Sequence, residues 1–203
     1  MSGQHTSAAV DFYFDFSSPY GYLASQLIEP LAARHGRAVA WHPFLLGVAF
    51  KETGAVPLVE VPIKGDYAKR DFARSARFHN LAPFRMPPRF PIPSQAPARI
   101  VLWLAGNDPQ KSVAAIHALY RAFFDEGRDI SDPEIASDVV SRLGVDRLAA
   151  RNAVDNPAMK ELLKTETQKA ISAGVFGSPF IIVDGEPFWG LDRLEQVDRW
   201  LAT

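Results

Sequence analysis

Cysteine does not occur anywhere in this chain of 203 residues. Its absence excludes disulfides, thiolate metal sites, a CxxC redox pair and a cysteine nucleophile, so any thiol chemistry requires a thiol from outside. An excess of one charge is missing too. The 22 Lys and Arg against 23 Asp and Glu leave a formal net charge of -1, which argues against a nucleic-acid surface, because phosphate binding needs clustered basic side chains. No apolar run approaches the roughly 18 residues of a membrane span. The stretch from Met1 to Ala9 lacks the basic and apolar regions of a signal peptide, so a cytoplasmic protein without a membrane partner is expected. The histidines His5, His35, His42, His79 and His117 show neither HxxxH nor HExxH spacing, and no metal site is expected. What remains is a globular composition, 47% hydrophobic and 22% charged, sufficient for a full core.

Periodicity then orders the chain. Val10-Asp11-Phe12-Tyr13-Phe14-Asp15 alternates as a strand. Ser18 is an N-cap, Pro19 suits the first helical position, and apolar residues recur with helical spacing until Gly36, a C′ glycine. Residues 38–44 form a second strand, giving a β-α-β unit with a right-handed crossover. Residues 47–65 read as a long loop and residues 66–78 as a helix. Six prolines (Pro83, Pro87, Pro88, Pro91, Pro93, Pro97) exclude regular structure over residues 81–97. From residue 98 to 173 the pattern is helical, with breaks at 106–109, 127–133 and 156–157. Phe180-Ile181-Ile182-Val183 and Glu186-Pro187-Phe188-Trp189 flank Asp184-Gly185, the signature of a type I′ hairpin, and residues 191–201 close the chain as a helix. This order describes an α/β, thioredoxin-like sheet (residues 8–65 and 174–203) interrupted by a large helical insertion (residues 66–173).

Two segments carry chemistry. At Ser17-Ser18-Pro19-Tyr20, the first helical turn presents unpaired N–H groups and a positive dipole end, which favour an external thiolate, and the Ser18 hydroxyl can donate to its sulfur. Taken alone, the motif is more readily an ordinary serine N-cap. At Gly174-Val175-Phe176-Gly177-Ser178-Pro179, a proline opens a strand directly after a glycine-rich turn. If that peptide bond is cis, the neighbouring backbone can pair with an extended peptide such as glutathione; the alternative is a plain turn before an edge strand.

These residues, together with Phe188-Trp189-Gly190-Leu191-Asp192-Arg193-Leu194 and Lys64-Gly65-Asp66-Tyr67, resemble the 2-hydroxychromene-2-carboxylate isomerases and their relatives, the kappa-class glutathione transferases. The resemblance runs through nearly the whole chain. It implies a DsbA-like thioredoxin fold without its CxxC pair, and glutathione as cofactor. It also implies Ser18 as the residue that activates the thiol, Ser178 and Pro179 as the backbone that pairs with the glutathione cysteine, and Trp189, Gly190, Leu191 and Asp192 as the segment holding the γ-glutamyl end. Ala55 stands where family members often carry Asn, which bears on the substrate more than on glutathione.

By the same resemblance the reaction is the interconversion of 2-hydroxychromene-2-carboxylate and trans-o-hydroxybenzylidenepyruvate, or a close aromatic analogue, by reversible thiolate addition. The expected partner is a small aromatic carboxylate, with Lys51, Lys64 and Phe90 as candidate substrate contacts beside Phe50, Phe84, Trp103, Arg85 and Arg89; a homodimer is allowed. The competing readings are a kappa-class-like glutathione transferase, which would consume glutathione, and a non-catalytic thioredoxin-like binding module.

Overall fold

The computed structural model describes residues 9–81 and 84–203. His5, Pro83, residue 8 at the start of the expected thioredoxin-like part, and all but the last residue of the stretch read for a signal peptide lie outside them. Four strands form one mixed sheet in the order β2-β1-β3-β4. Strand β1 (Val10–Phe14) pairs parallel with β2 (Val39–Pro43) and antiparallel with β3 (Phe180–Val183), which pairs antiparallel with β4 (Glu186–Trp189). Helix α1 (Pro19–Arg34) makes the crossover between β1 and β2. The β3 to β4 turn has φ of 51° at Asp184 and 91° at Gly185, as a type I′ hairpin requires.

The alternation read in β1 is borne out, because Val10, Phe12 and Phe14 are wholly buried while Asp11 and Tyr13 are not. The residues on the buried face start a continuous cluster that takes in Leu23 and Ile28 of α1, Ile181 and Val183 of β3, and Ile116, Tyr120, Phe123 and Phe124 of α5 (Pro109–Phe124). The opposite face carries a smaller cluster of Phe44, Ala49, Ala170, Val175 and Phe180. Helices α4 (Gln95–Asn107), α5, α6 (Pro133–Ser141) and α7 (Arg147–Asp155) follow the proline-rich segment, and α8 (Pro157–Ser172) leads back to the sheet. Asp108, Asp132, Asp146 and Asn156 each accept a hydrogen bond from an amide of the following helix's first turn. These caps stop the long helical pattern from running together.

Four readings need correction. The proline-rich stretch is not irregular to residue 97, because α4 already begins at Gln95 and holds Pro97 in its first turn, where a proline's missing N–H costs no helical hydrogen bond. Residues 47–65 are not one loop. Leu46–Thr53 forms α2, closed by Gly54 in the left-handed conformation (φ 71°), and Leu58–Glu60 forms a short 3-10 turn before α3 (Lys64–Phe78). Eight residues offer too little periodicity to declare a helix, and tertiary contacts supply the rest. A further break separates α6 from α7 at residues 142–146, where Gly144 has φ 72°. The last helix, α9 (Leu194–Leu201), begins three residues late, after a 3-10 turn at Leu191–Arg193.

Two glycines should respond oppositely to alanine. At Gly65 a Cβ would lie 2.3 Å from the Val59 carbonyl oxygen, so Gly65→Ala should cost about 2 kcal/mol through backbone displacement. Gly106, exposed near the end of α4, has nothing within 4 Å of that point, and Gly106→Ala should stabilise by about 0.5–1 kcal/mol. Urea unfolding of both variants checks the pair.

Candidate active site

The strand-to-helix turn is set by its own side chains. Ser18 caps α1, accepting from the Gly21 amide at 3.0 Å and donating its hydroxyl to the Ser178 carbonyl at 2.7 Å. The two adjacent serines do different work, since Ser17 Oγ instead accepts from the Ile92 amide at 3.0 Å and anchors the proline-rich segment. Ser18 is 3% exposed. The Ser178–Pro179 bond is cis, as the Gly-Ser-Pro turn suggested, and so is Phe90–Pro91, which sequence did not single out. Ser178 Oγ accepts from the Asp15 amide at 3.1 Å, closing the contact between the two segments. Residues 18 and 178 lie 160 positions apart in sequence.

Above this junction opens a cavity of about 1240 Å³. Its lining brings together Ser18, Ser178, Pro179, Trp189, Gly190, Leu191 and Asp192, the residues expected to hold glutathione, with Lys51, Phe50 and Phe90. Lys64 does not join them; it opens α3 with an exposed side chain outside the lining. Lys51, within the stretch read as a long loop, stands on α2. Arg85 and Arg89 also lie outside the lining, and Arg89 is paired with Asp129 at 2.9 Å. Phe84 and Trp103 pack against the main core.

Trp189 covers the glycine turn at the cavity's edge. Its indole nitrogen would be 2.2 Å from a Cβ on Gly177, and its ring meets Phe176 edge-on at 4.8 Å. Gly190, with φ 112°, turns the chain from β4 into the 3-10 turn that carries exposed Asp192, paired there with Arg193 at 3.0 Å.

The far wall comes from α3 and was not anticipated. Tyr20 Oη donates to Asp71 Oδ2 at 2.6 Å, and Arg74 and Ser75 also donate to that carboxylate. Burial and the bond to Asp71 raise the Tyr20 pKa, so the phenol stays protonated. Burial would raise Asp71 as well, but the hydrogen bonds from Tyr20 and Arg74 prevail and its pKa is lowered. Burial lowers the pKa of His79, which follows the end of α3 in the same lining. Phe72, Phe78, Leu58 and Val59 complete an apolar wall. Nearer the floor, Asp15 is fully buried, with a pKa raised by burial against the opposing hydrogen bonds of Ser17, Leu46 and Ser94. Its sequence signal, an acidic residue between an apolar strand and a serine cap, is indistinguishable from an exposed strand end. Among the described residues, no group of three or more His, Asp or Glu could hold a metal ion.

This geometry has a known kin. A family model described as a DsbA-like thioredoxin domain matches residues 9–202. The chain belongs to that family, in the branch that includes the 2-hydroxychromene-2-carboxylate isomerases. It is 31% identical over 201 residues to the 2-hydroxychromene-2-carboxylate isomerase of Sphingobium xenophagum, across 95% of this chain and 97% of that one. It is 29% identical over 209 residues to glutathione S-transferase kappa 2 of Caenorhabditis elegans, across 95% and 91%. A solved structure of a 2-hydroxychromene-2-carboxylate isomerase superposes with a TM-score of 0.85 at 28% identity, covering 96% of this chain and 94% of that one.

Gly21 tests how tightly the junction is packed. A Cβ there would lie 2.8 Å from Tyr120 Oη and 2.9 Å from Ser178 Oγ, so Gly21→Ala should destabilise by about 2 kcal/mol. An unchanged unfolding midpoint in denaturant would show that neither hydroxyl is held where it stands.

Proposed function

We propose that this protein is a glutathione-dependent isomerase that interconverts 2-hydroxychromene-2-carboxylate and trans-o-hydroxybenzylidenepyruvate, or a close aromatic analogue. The observation that carries the reading is the meeting of Ser18 with the Ser178 carbonyl on the floor of a cavity whose walls are aromatic. The kinship with an isomerase and with a glutathione transferase supports both the reaction and the cofactor.

Glutathione would lie extended along the cis-proline turn, its cysteine amide donating to the Ser178 carbonyl. That carbonyl now receives the Ser18 hydroxyl hydrogen. Once the peptide amide takes its place, the hydroxyl is free to turn toward the sulfur and stabilise its thiolate, aided by the amino end of α1. The γ-glutamyl end would reach the 3-10 turn, with Asp192 released from Arg193 to bind the α-amino group.

The chemistry follows from those placements. The sulfur lone pair forms a C–S bond to the conjugated carbon of the ring-opened enone, and the displaced π electrons become an enolate. The former double bond then rotates, the enolate collapses, and the thiolate leaves. Nothing is oxidised or reduced and glutathione is regenerated. Lys51, an exposed cation in the lining with no ion pair among the described residues, would attract the substrate carboxylate, while Phe50 and Phe90 flank the ring. The cytoplasm, where glutathione keeps thiols reduced, is the compartment such an enzyme needs.

The deciding experiment incubates the enzyme with the chromene acid and a small amount of glutathione, following product by absorbance and free thiol by titration. Many turnovers per glutathione are expected; stoichiometric loss of thiol would make the protein a transferase instead. Ser18→Ala should lower turnover at least tenfold, at a stability cost of about 1 kcal/mol for the lost cap, whereas Ser17→Ala should leave turnover within a few fold. Asp192→Asn should weaken glutathione binding about tenfold in calorimetry with little change in turnover at saturation. An unchanged dissociation constant would remove Asp192 from the site.

A further inference from the structure

Three helices begin around one carboxylate. Asp15 Oδ1 accepts from the Ser17 amide at 2.7 Å, and Oδ2 accepts from the Leu46 amide at 2.8 Å and the Ser94 hydroxyl at 2.9 Å. Ser17 precedes the cap of α1, Leu46 opens α2, and Ser94 is the N-cap of α4, its hydroxyl spent on Asp15 and not on its own helix. The amino ends of α1, α2 and α4 therefore meet here, each equivalent to about half a positive charge. The backbone of Asp15 is held as firmly. Its carbonyl accepts from the Ser18 amide and the Tyr120 hydroxyl, both at 2.9 Å, and its amide donates to Ser178 Oγ at 3.1 Å.

Two of the three partners are backbone amides, which can only donate, and one reaches each carboxyl oxygen, an arrangement that suits a carboxylate. Asp15 is 3% exposed yet lines the cavity floor. A buried anion at that point works against a thiolate on Ser18, and this opposition has a use. A thiolate held too strongly is abundant but a weak nucleophile, because nucleophilicity falls with pKa. The proposed reaction needs sulfur both to add and to leave.

We propose that Asp15 is the positioning residue of the thiol site, fixing the Ser18 turn and, by its charge, offsetting the three helix ends so that the bound thiol keeps a pKa near the working pH. The inference rests on the glutathione reading above. The other titratable or charged groups facing the floor cannot take this role. Lys51 from α2, and Asp192, Arg193 and Glu195 after β4, are exposed and screened by solvent. On the α3 side Asp71 is engaged by Tyr20 and Arg74, and His79 is disfavoured as a cation by burial. Tyr120 of α5 is fully buried with its pKa raised well above the ordinary value, so it is neutral.

The test reads the acidity of the bound thiol and not turnover, by following thiolate absorbance of the glutathione complex against pH. Asp15→Asn keeps the shape and leaves one oxygen for Leu46 and Ser94 while removing the charge, and should lower the thiol pKa by about one unit. Simple damage to the turn would raise it, since Ser18 would be misplaced. Ser94→Ala withdraws a donor and leaves the charge less neutralised, so the thiol pKa should rise. An unchanged or raised pKa in a folded Asp15→Asn overturns the proposal. Should that variant not fold, an unchanged or lowered pKa in Ser94→Ala overturns it. A wild-type chain that binds no glutathione refutes the glutathione reading itself, and is distinguished because it fails before any variant is compared.

Discussion

The burial of the Asp15 carboxylate is the constraint around which the site is arranged. Taking a carboxylate out of water costs several kcal/mol unless donors replace the lost hydration. Here they come from positions 17, 46 and 94, on three separate segments. Satisfying one side chain thus obliges the first strand-helix turn, the start of α2 and the end of the proline-rich segment to converge. That segment has little hydrogen-bonded structure of its own, and its bonds from Ile92 to Ser17 and from Ser94 to Asp15 show how it is held. An apolar residue at position 15 would leave the Leu46 amide and the Ser94 hydroxyl without acceptors, a penalty for each comparable to a lost buried hydrogen bond.

The helical stretch is more than a lid on the sheet. Tyr120 of α5 is fully buried among Phe14, Phe16, Tyr22 and Phe124, and its hydroxyl reaches the Asp15 carbonyl at 2.9 Å. Its oxygen also fills the space beside Gly21. The cavity is consequently two-sided. The sheet, α1 and the cis-proline turn supply a polar floor suited to a peptide and its thiol, while α2, α3 and the proline-rich segment supply aromatic walls suited to a flat substrate.

Much of the fold was legible because its signals are local. The alternation of β1, the Ser18-Pro19 start and Gly36 stop of α1, and the Asp184-Gly185 hairpin each express a backbone preference within a few residues. Helix α2 was not legible, since its eight residues are held by Ala49 in the smaller core and by the Asp15 acceptor at its amino end. The break between α6 and α7 was also missed, though Gly144 and the Asp146 cap were present to mark it.

The candidate glutathione segments were found from motifs, and the fold brings them to one cavity with Lys51 and Phe90, while Lys64 falls outside it. By itself the sequence determined that no thiol is carried internally, that a serine caps the first helix and that a proline follows Ser178, because each is a property of residue identity and near neighbours. Only the tertiary structure decided that the Ser18 hydroxyl faces the Ser178 carbonyl, that Asp15 is a buried side chain held by three donors and not an exposed strand end, and that Asp71 closes the far wall. Those facts depend on desolvation and on contacts between segments far apart in the chain, and neither is encoded in any local pattern.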